Sequence, residues 1–188
     1  AVKYSNNAAI LYEDTSLTHK EFNEAINRHA HYFISLGLKK GDTVIVYVEN
    51  RPELLIVASA LGKIGAISSF INTNQRDRVL THSVNLTKGR VFVIGEELIE
   101  AFEEVKADLD MKGDEQFHYV PDKGQTPMPD GYINLPDVTK DQPNENPSTT
   151  AQVQAKDPIC LIFTSGTTGM PKAAPLTNRR WIAAYYGF

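Results

Sequence analysis

Between Thr164 and Lys172 the chain reads Thr-Ser-Gly-Thr-Thr-Gly-Met-Pro-Lys. Two glycines, four hydroxyl side chains and a lysine within nine residues suit one task, holding a phosphate. Glycines let backbone N–H groups converge on an anion with no side chain in the way. The hydroxyls of Thr164, Ser165, Thr167 and Thr168 add donors, and Lys172 adds a compact positive charge. Two commoner phosphate loops do not fit. A Walker A loop places four residues between its glycines and a hydroxyl residue after its lysine, whereas here two residues separate Gly166 from Gly169, and Ala173 follows Lys172. The dinucleotide fingerprint fails because Thr168 stands where its second glycine belongs.

A loop of this kind needs a strand to deliver it. The apolar run Ile159–Phe163 predicts one, and Thr177 or Asn178 predicts the cap of a following helix with Trp181, Ile182, Ala183 and Tyr185. Upstream, strand and helix alternate. Ala9–Tyr12 predicts a strand and Glu13-Asp14 a turn. Thr18 and Glu21 have capping-box spacing, and Phe22, Ala25, Ile26, Ala30, Phe33 and Ile34 recur at helical period until Gly37. Val44–Val48 reads as a buried strand. A helix follows Asn50 with Pro52 in its first turn and ends at Gly62 and Gly65. A strand over 66–71, a helix capped by Asn72-Thr73-Asn74 to about Leu86, a strand over 90–94, a helix over 96–109 and a strand over 117–120 complete the series. This alternation predicts an α/β domain with a mainly parallel sheet flanked by helices. Residues 121–158 hold seven of the ten prolines and predict a long irregular surface connection.

Other reactive side chains read as structural. His19, His29, His31, His82 and His118 form no ligand pattern and are expected at the surface or partly buried. Cys160 lies in an apolar strand and is expected in the core. Glu96, Glu97, Glu100, Glu103 and Glu104 predict the solvated face of a helix. Arg76 and Arg78 follow the Asn-rich turn and are expected at the surface, and the aromatics near the C-terminus are expected in the core.

The totals agree with a globular chain: 188 residues, 41% hydrophobic and 22% charged. A net charge of −4 speaks against a nucleic-acid partner. A single cysteine rules out an internal disulfide and fits a reducing compartment. No apolar run approaches the ~20 residues that span a bilayer, and no signal peptide opens the sequence.

The 164–172 segment resembles, residue by residue, the phosphate loop of the adenylate-forming superfamily, which includes acyl-CoA synthetases, luciferases and the adenylation domains of peptide synthetases. Leu17–Phe22 is similar to the family's early "L-T-Y-x-E-L" segment, and Gly62–Ala66 to its "K-x-G-A" turn. Lys172-Ala173-Ala174, Asn178-Arg179-Arg180 and Phe70–Arg76 resemble the fatty-acid transport protein / very-long-chain acyl-CoA synthetase branch. The resemblance implies that 1–188 is an incomplete N-terminal AMP-binding domain, part of the large N-terminal domain of a protein about three times longer. It implies a nucleotide site at Thr164, Ser165, Gly166, Thr167, Thr168, Gly169, Met170, Pro171 and Lys172, and an acid–thiol ligase using ATP, Mg2+ and coenzyme A on a long or very long fatty acid. It assigns no catalytic nucleophile to this chain and leaves the metal ligands unknown. The isolated chain is expected to be inactive, because the segments for adenine, ribose, magnesium and the C-terminal lysine come later in the family. The expected location is cytoplasmic, or on a membrane facing the cytosol through regions outside this chain. Two alternatives stay open: a ligase for aryl, amino-acid or short-chain acids, and a catalytically inert nucleotide-binding or interaction domain.

Overall fold

The structure is a computed structural model that describes residues 4–164 and 169–186. The chain opens with an antiparallel hairpin, β1 (Ala8–Tyr12) and β2 (Thr15–Thr18), turning at Glu13, whose φ is 47°. Thr18 then caps α1 (His19–Ser35): its hydroxyl accepts from the Glu21 N–H, and the Glu21 carboxylate accepts from the Thr18 N–H. Gly37, at φ 75°, ends the helix as the spacing predicts. The order continues β3 (Thr43–Tyr47), α2 (Pro52–Ile64), β4 (Ile67–Phe70), α3 (Asp77–Thr87), β5 (Val91–Gly95), α4 (Ile99–Lys106), β6 (Gln116–Val120), β7 (Tyr132–Asn134), α5 (Leu135–Thr139), β8 (Pro158–Thr164), β9 (Lys172–Thr177) and α6 (Asn178–Tyr186).

Seven strands form one sheet in the order β7-β6-β5-β3-β4-β8-β9, parallel throughout except for β9, which runs antiparallel to β8. Both faces of the central strands are apolar, as a sheet covered on two sides requires. Val44, Val46, Val91 and Val93 face a core shared with α1, α2 and α5, whereas Ile45, Tyr47, Phe92 and Ile94 face a second core under α3 and α4. Phe33 anchors the first and Phe102 the second, both fully buried. Removing either ring would cost about 3–5 kcal/mol.

The two crossovers leaving β3 and β4 go to opposite faces, since α2 packs in the first core and α3 in the second. Adjacent strands with this arrangement leave a crevice at their carboxyl ends, where ligands of open α/β sheets commonly bind. The phosphate-loop strand β8 lies beside β4 with its carboxyl end on the same edge, Phe70 opposite Ile162.

Several elements depart from the sequence reading. The 121–158 connection is partly regular: Tyr132 is buried at the sheet edge, and Leu135 and Pro136 start α5, where proline costs nothing in the first turn. It also holds a 3-10 turn over Ser148–Gln152. The helix expected over 96–109 opens as a 3-10 turn and runs as α4 only to Lys106. Gly62 sits inside α2, and Gly65, at φ 73°, is the stop. The Asn72 side chain caps a turn at the Asn74 N–H rather than a helix, so α3 begins later, at Asp77.

Candidate functional site

β8 and β9 form a hairpin whose last ladder pair is Thr164 with Lys172. The nine-residue motif joins the two strands, and β9 is a strand the sequence does not predict, inserted before the expected helix. Ala173 and Ala174 are small enough to pair flat against β8, and β9 is the sheet edge, where Pro175 needs no second partner. The helix expected after Thr177 follows as α6.

Thr164, Gly169 and Lys172 are exposed, and Met170 and Pro171 half-buried. Gly169 has φ 87°, a conformation that favours glycine, which gives this motif position a backbone reason. The Thr164 hydroxyl donates to the Lys172 carbonyl at 3.5 Å, closing the base of the loop. Lys172 has no ion pair among the described residues, so its charge is open to an anion. Ser165, Gly166, Thr167 and Thr168 lie outside the described residues.

Beside the loop, the carboxyl ends of β3 and β4 are tied by Arg76, whose Nη1 donates to the Tyr47 hydroxyl at 2.9 Å, Thr73 O at 2.6 Å and Gln75 O at 2.7 Å. Its backbone is at the surface, as expected, but its guanidinium braces the crevice wall. Burial pushes the Tyr47 phenol above its ordinary range, against the opposing pull of Arg76. A largely apolar cavity of about 590 Å3 opens between α2 and the strands β4 and β8, lined by Leu54, Ser68, Phe70, Cys160, Ile162 and Trp181 among others. Cys160 is core, as expected, and Trp181 and Ile182 are more than half exposed.

Two groups of ionisable side chains differ from expectation. Glu96 is no solvated residue: it is 2% exposed, and its carboxylate accepts the N–H groups of Asp122 (2.6 Å), Gly124 (3.0 Å), Gln125 and Thr126 (3.0 Å). Burial would raise this carboxyl, but the N–H groups of Asp122, Thr126, Gly124 and Gln125 outweigh it and hold it at about 2. Glu97 pairs with buried Arg51; Glu100, Glu103 and Glu104 are exposed as expected, and Glu103 also accepts from the Tyr132 hydroxyl at 2.6 Å. His118 is fully buried, not at the surface. His82, read as structural, reaches the motif itself, with Nε2 3.0 Å from the Pro171 carbonyl. No local sequence signal marks either pairing, since Glu96 meets residues 26–30 positions away and His82 one 89 away.

Among the described residues no three His, Cys, Asp or Glu side chains converge to hold a metal ion. A mostly parallel sheet with helices on both faces and a crevice at its carboxyl ends is a common setting for nucleotide binding. The family model described as "AMP-binding enzyme" matches residues 1–188, and the chain belongs to that family. It is 32% identical over 188 residues to the medium/long-chain-fatty-acid–CoA ligase FadD6 of Mycobacterium tuberculosis, covering 98% of this chain and 29% of that protein. It is 34% identical over 172 residues to the human long-chain fatty acid transport protein 6, covering 90% and 27%. The fold matches the anthranilate CoA ligase AuaEII bound to anthranoyl-AMP with a TM-score of 0.86 at 23% identity, covering 97% of this chain and 34% of that one. The chain thus spans under a third of the curated relatives named here.

Proposed function

We propose that residues 1–188 are the N-terminal part of an ATP-dependent fatty acyl-CoA synthetase for long or very long chains, and that the β8–β9 tip holds the pyrophosphate end of ATP. One observation carries the site: in a chain of the AMP-binding family, the exposed lysine Lys172 stands at the base of a glycine-rich tip on the carboxyl edge of the sheet. The substrate class is supported by the fatty-acid ligase and fatty acid transport protein among the relatives.

In the first half-reaction the fatty carboxylate attacks the α-phosphorus of ATP, the bond to the β-phosphate oxygen breaks, and pyrophosphate leaves. In the second, the thiol of coenzyme A attacks the acyl carbon and AMP leaves. Charge develops on the departing pyrophosphate, and Lys172 with the hydroxyls of Ser165, Thr167 and Thr168 would neutralise and orient it, while the Thr164 hydroxyl holds the base of the loop. The loop's glycines, Gly166 and Gly169, would allow close backbone approach; Met170 and Pro171 would set the path into β9. No residue of the loop acts as nucleophile. Magnesium would arrive on the ATP phosphates, in keeping with its preference for substrate oxygens over an all-protein cage. The partners are ATP, the acid and coenzyme A, with no nucleic acid. No described helix is long and apolar enough to cross a membrane. The location we propose for the reaction is the cytoplasm or a membrane surface facing it.

The test is acid-dependent exchange of labelled pyrophosphate into ATP by the full-length protein, across acids of graded chain length. Exchange that rises with long chains supports the reading. Exchange only with aryl, amino or short acids, or nucleotide binding with no exchange for any acid, overturns it.

A further inference from the structure

His82 lies half-buried on α3, a helix fixed to the sheet by fully buried Leu80 and by Val84. Its Nε2 is 3.0 Å from the carbonyl oxygen of Pro171. A carbonyl has no proton to give, so Nε2 carries the hydrogen and donates, which sets the tautomer of the neutral ring.

Pro171 is the last residue before the ladder begins at Thr164 and Lys172. The peptide group is rigid and planar, so holding the Pro171 carbonyl holds the Lys172 N–H and the direction in which its Cα lies. The next carbonyl, that of Lys172, accepts from the Thr164 hydroxyl. The two peptide planes flanking the Lys172 Cα are therefore gripped independently, one by a helix on the second core and one by the strand that enters the loop. The proline ring fixes φ at Pro171, the residue just before the first of these planes. A lysine stem has four rotatable bonds, so fixing where it starts restricts where its ammonium can go.

We infer that His82 is a positioning residue for Lys172: its Nε2–H holds the Pro171–Lys172 peptide so that the ammonium meets the departing pyrophosphate. This rests on the reading of the β8–β9 tip as the pyrophosphate cradle. His82 touches neither substrate nor reacting atoms and acts through the backbone of Pro171.

The experiment uses the full-length protein and measures the two half-reactions separately. His82→Phe keeps a flat ring and removes the donor. His82→Gln keeps an N–H at similar reach. His82→Phe should slow adenylation about five- to twenty-fold, the effect of one lost hydrogen bond on the reacting geometry. Thioester formation from pre-made acyl-adenylate should stay within about twofold, and His82→Gln should restore most of the adenylation rate. On a Lys172→Met background, His82→Phe should add less than about twofold, because the group it positions is gone. Wild-type adenylation in His82→Phe alongside a slow Lys172→Met overturns the positioning role and leaves the cradle standing. If Lys172→Met is also unaffected, the cradle itself is wrong. Equal losses in both half-reactions, or full additivity with Lys172→Met, make His82 merely structural and overturn the inference. Should His82→Phe fail to fold, His82→Asn, whose amide is too short to reach Pro171, replaces it. Asn slow and Gln near wild type supports the inference, and the two alike overturns it.

Discussion

His118 makes a measurable claim on pH. Its ring is fully buried between Phe92 and Tyr32. Nδ1 donates to the Phe92 carbonyl at 3.1 Å, which leaves Nε2 to accept the Tyr32 hydroxyl at 2.9 Å. A charged ring would carry a second N–H, and the phenol would have to turn its own hydrogen away to accept it. Burial lowers the imidazole from 6.5 to about 4, and the backbone carbonyls of Phe92 and Gln116 offset only part of that. Below pH 6.5 the unfolded chain therefore binds a proton that the folded protein refuses. The folded state loses stability as pH falls from 6.5 towards 4, and the loss stops growing below that. Between pH 8 and pH 5 this amounts to about 2 kcal/mol, since each pH unit inside the window is worth about 1.4 kcal/mol. His29 is shifted the same way by burial, so the wild-type curve alone does not isolate His118. Urea unfolding at pH 8, 6 and 5 of wild type and His118→Gln does, because His29 cancels in the difference. The variant should lose about 2 kcal/mol less than wild type over that range, whatever its stability at pH 8. Parallel pH curves for the two proteins would mean that His118 is not held neutral in the core, and the reasoning fails.

Two other substitutions test the scaffold. Glu96→Gln leaves backbone N–H groups of the 122–126 turn without a charged acceptor and should cost about 2–4 kcal/mol, with faster amide exchange confined to that turn. In wild type the Glu96 contribution is complete above the ordinary carboxyl value of 4.5 and is lost as pH falls towards about 2, so it should not alter stability between pH 6 and 8. Gly89→Ala would place a Cβ 2.8 Å from the Thr43 carbonyl oxygen, a backbone atom with little room to move. It should destabilise by about 1–3 kcal/mol in thermal unfolding, whereas Gly113→Ala, in open space but at φ 93°, should cost about 1 kcal/mol through its backbone alone.

What was legible in the sequence was local. The capping box of Thr18 and Glu21, the left-handed stops at Gly37 and Gly65, and the apolar strands at 44–48 and 91–94 all carry their reason within a few residues. The resemblance to the adenylate-forming superfamily was legible too, and it agrees with the family match over 1–188. The motif's setting was less so. Lys172–Thr177 is short, contains Pro175 and lacks alternating large apolar residues, so nothing in it announces a strand; pairing with β8 creates one. Tyr132–Asn134 is likewise a strand only because β6 offers it an edge. Glu96 looked solvated because five acidic residues lie within nine positions, and the N–H donors it accepts from come from the turn after β6. Contacts that cross the fold, such as His82 to Pro171, leave no periodicity to read.

The central claim is that the β8–β9 tip neutralises pyrophosphate as it leaves, and separating the half-reactions in Lys172→Met tests it most directly. Methionine keeps much of the stem and removes the ammonium. The proposed role requires adenylation to fall about ten- to a thousand-fold, the range for removing one preorganised electrostatic donor. Thioester formation from pre-made acyl-adenylate should fall far less, because pyrophosphate has already gone, and Thr168→Val should show the same bias more weakly. Unchanged adenylation in folded Lys172→Met, or equal damage to both half-reactions, would contradict the account.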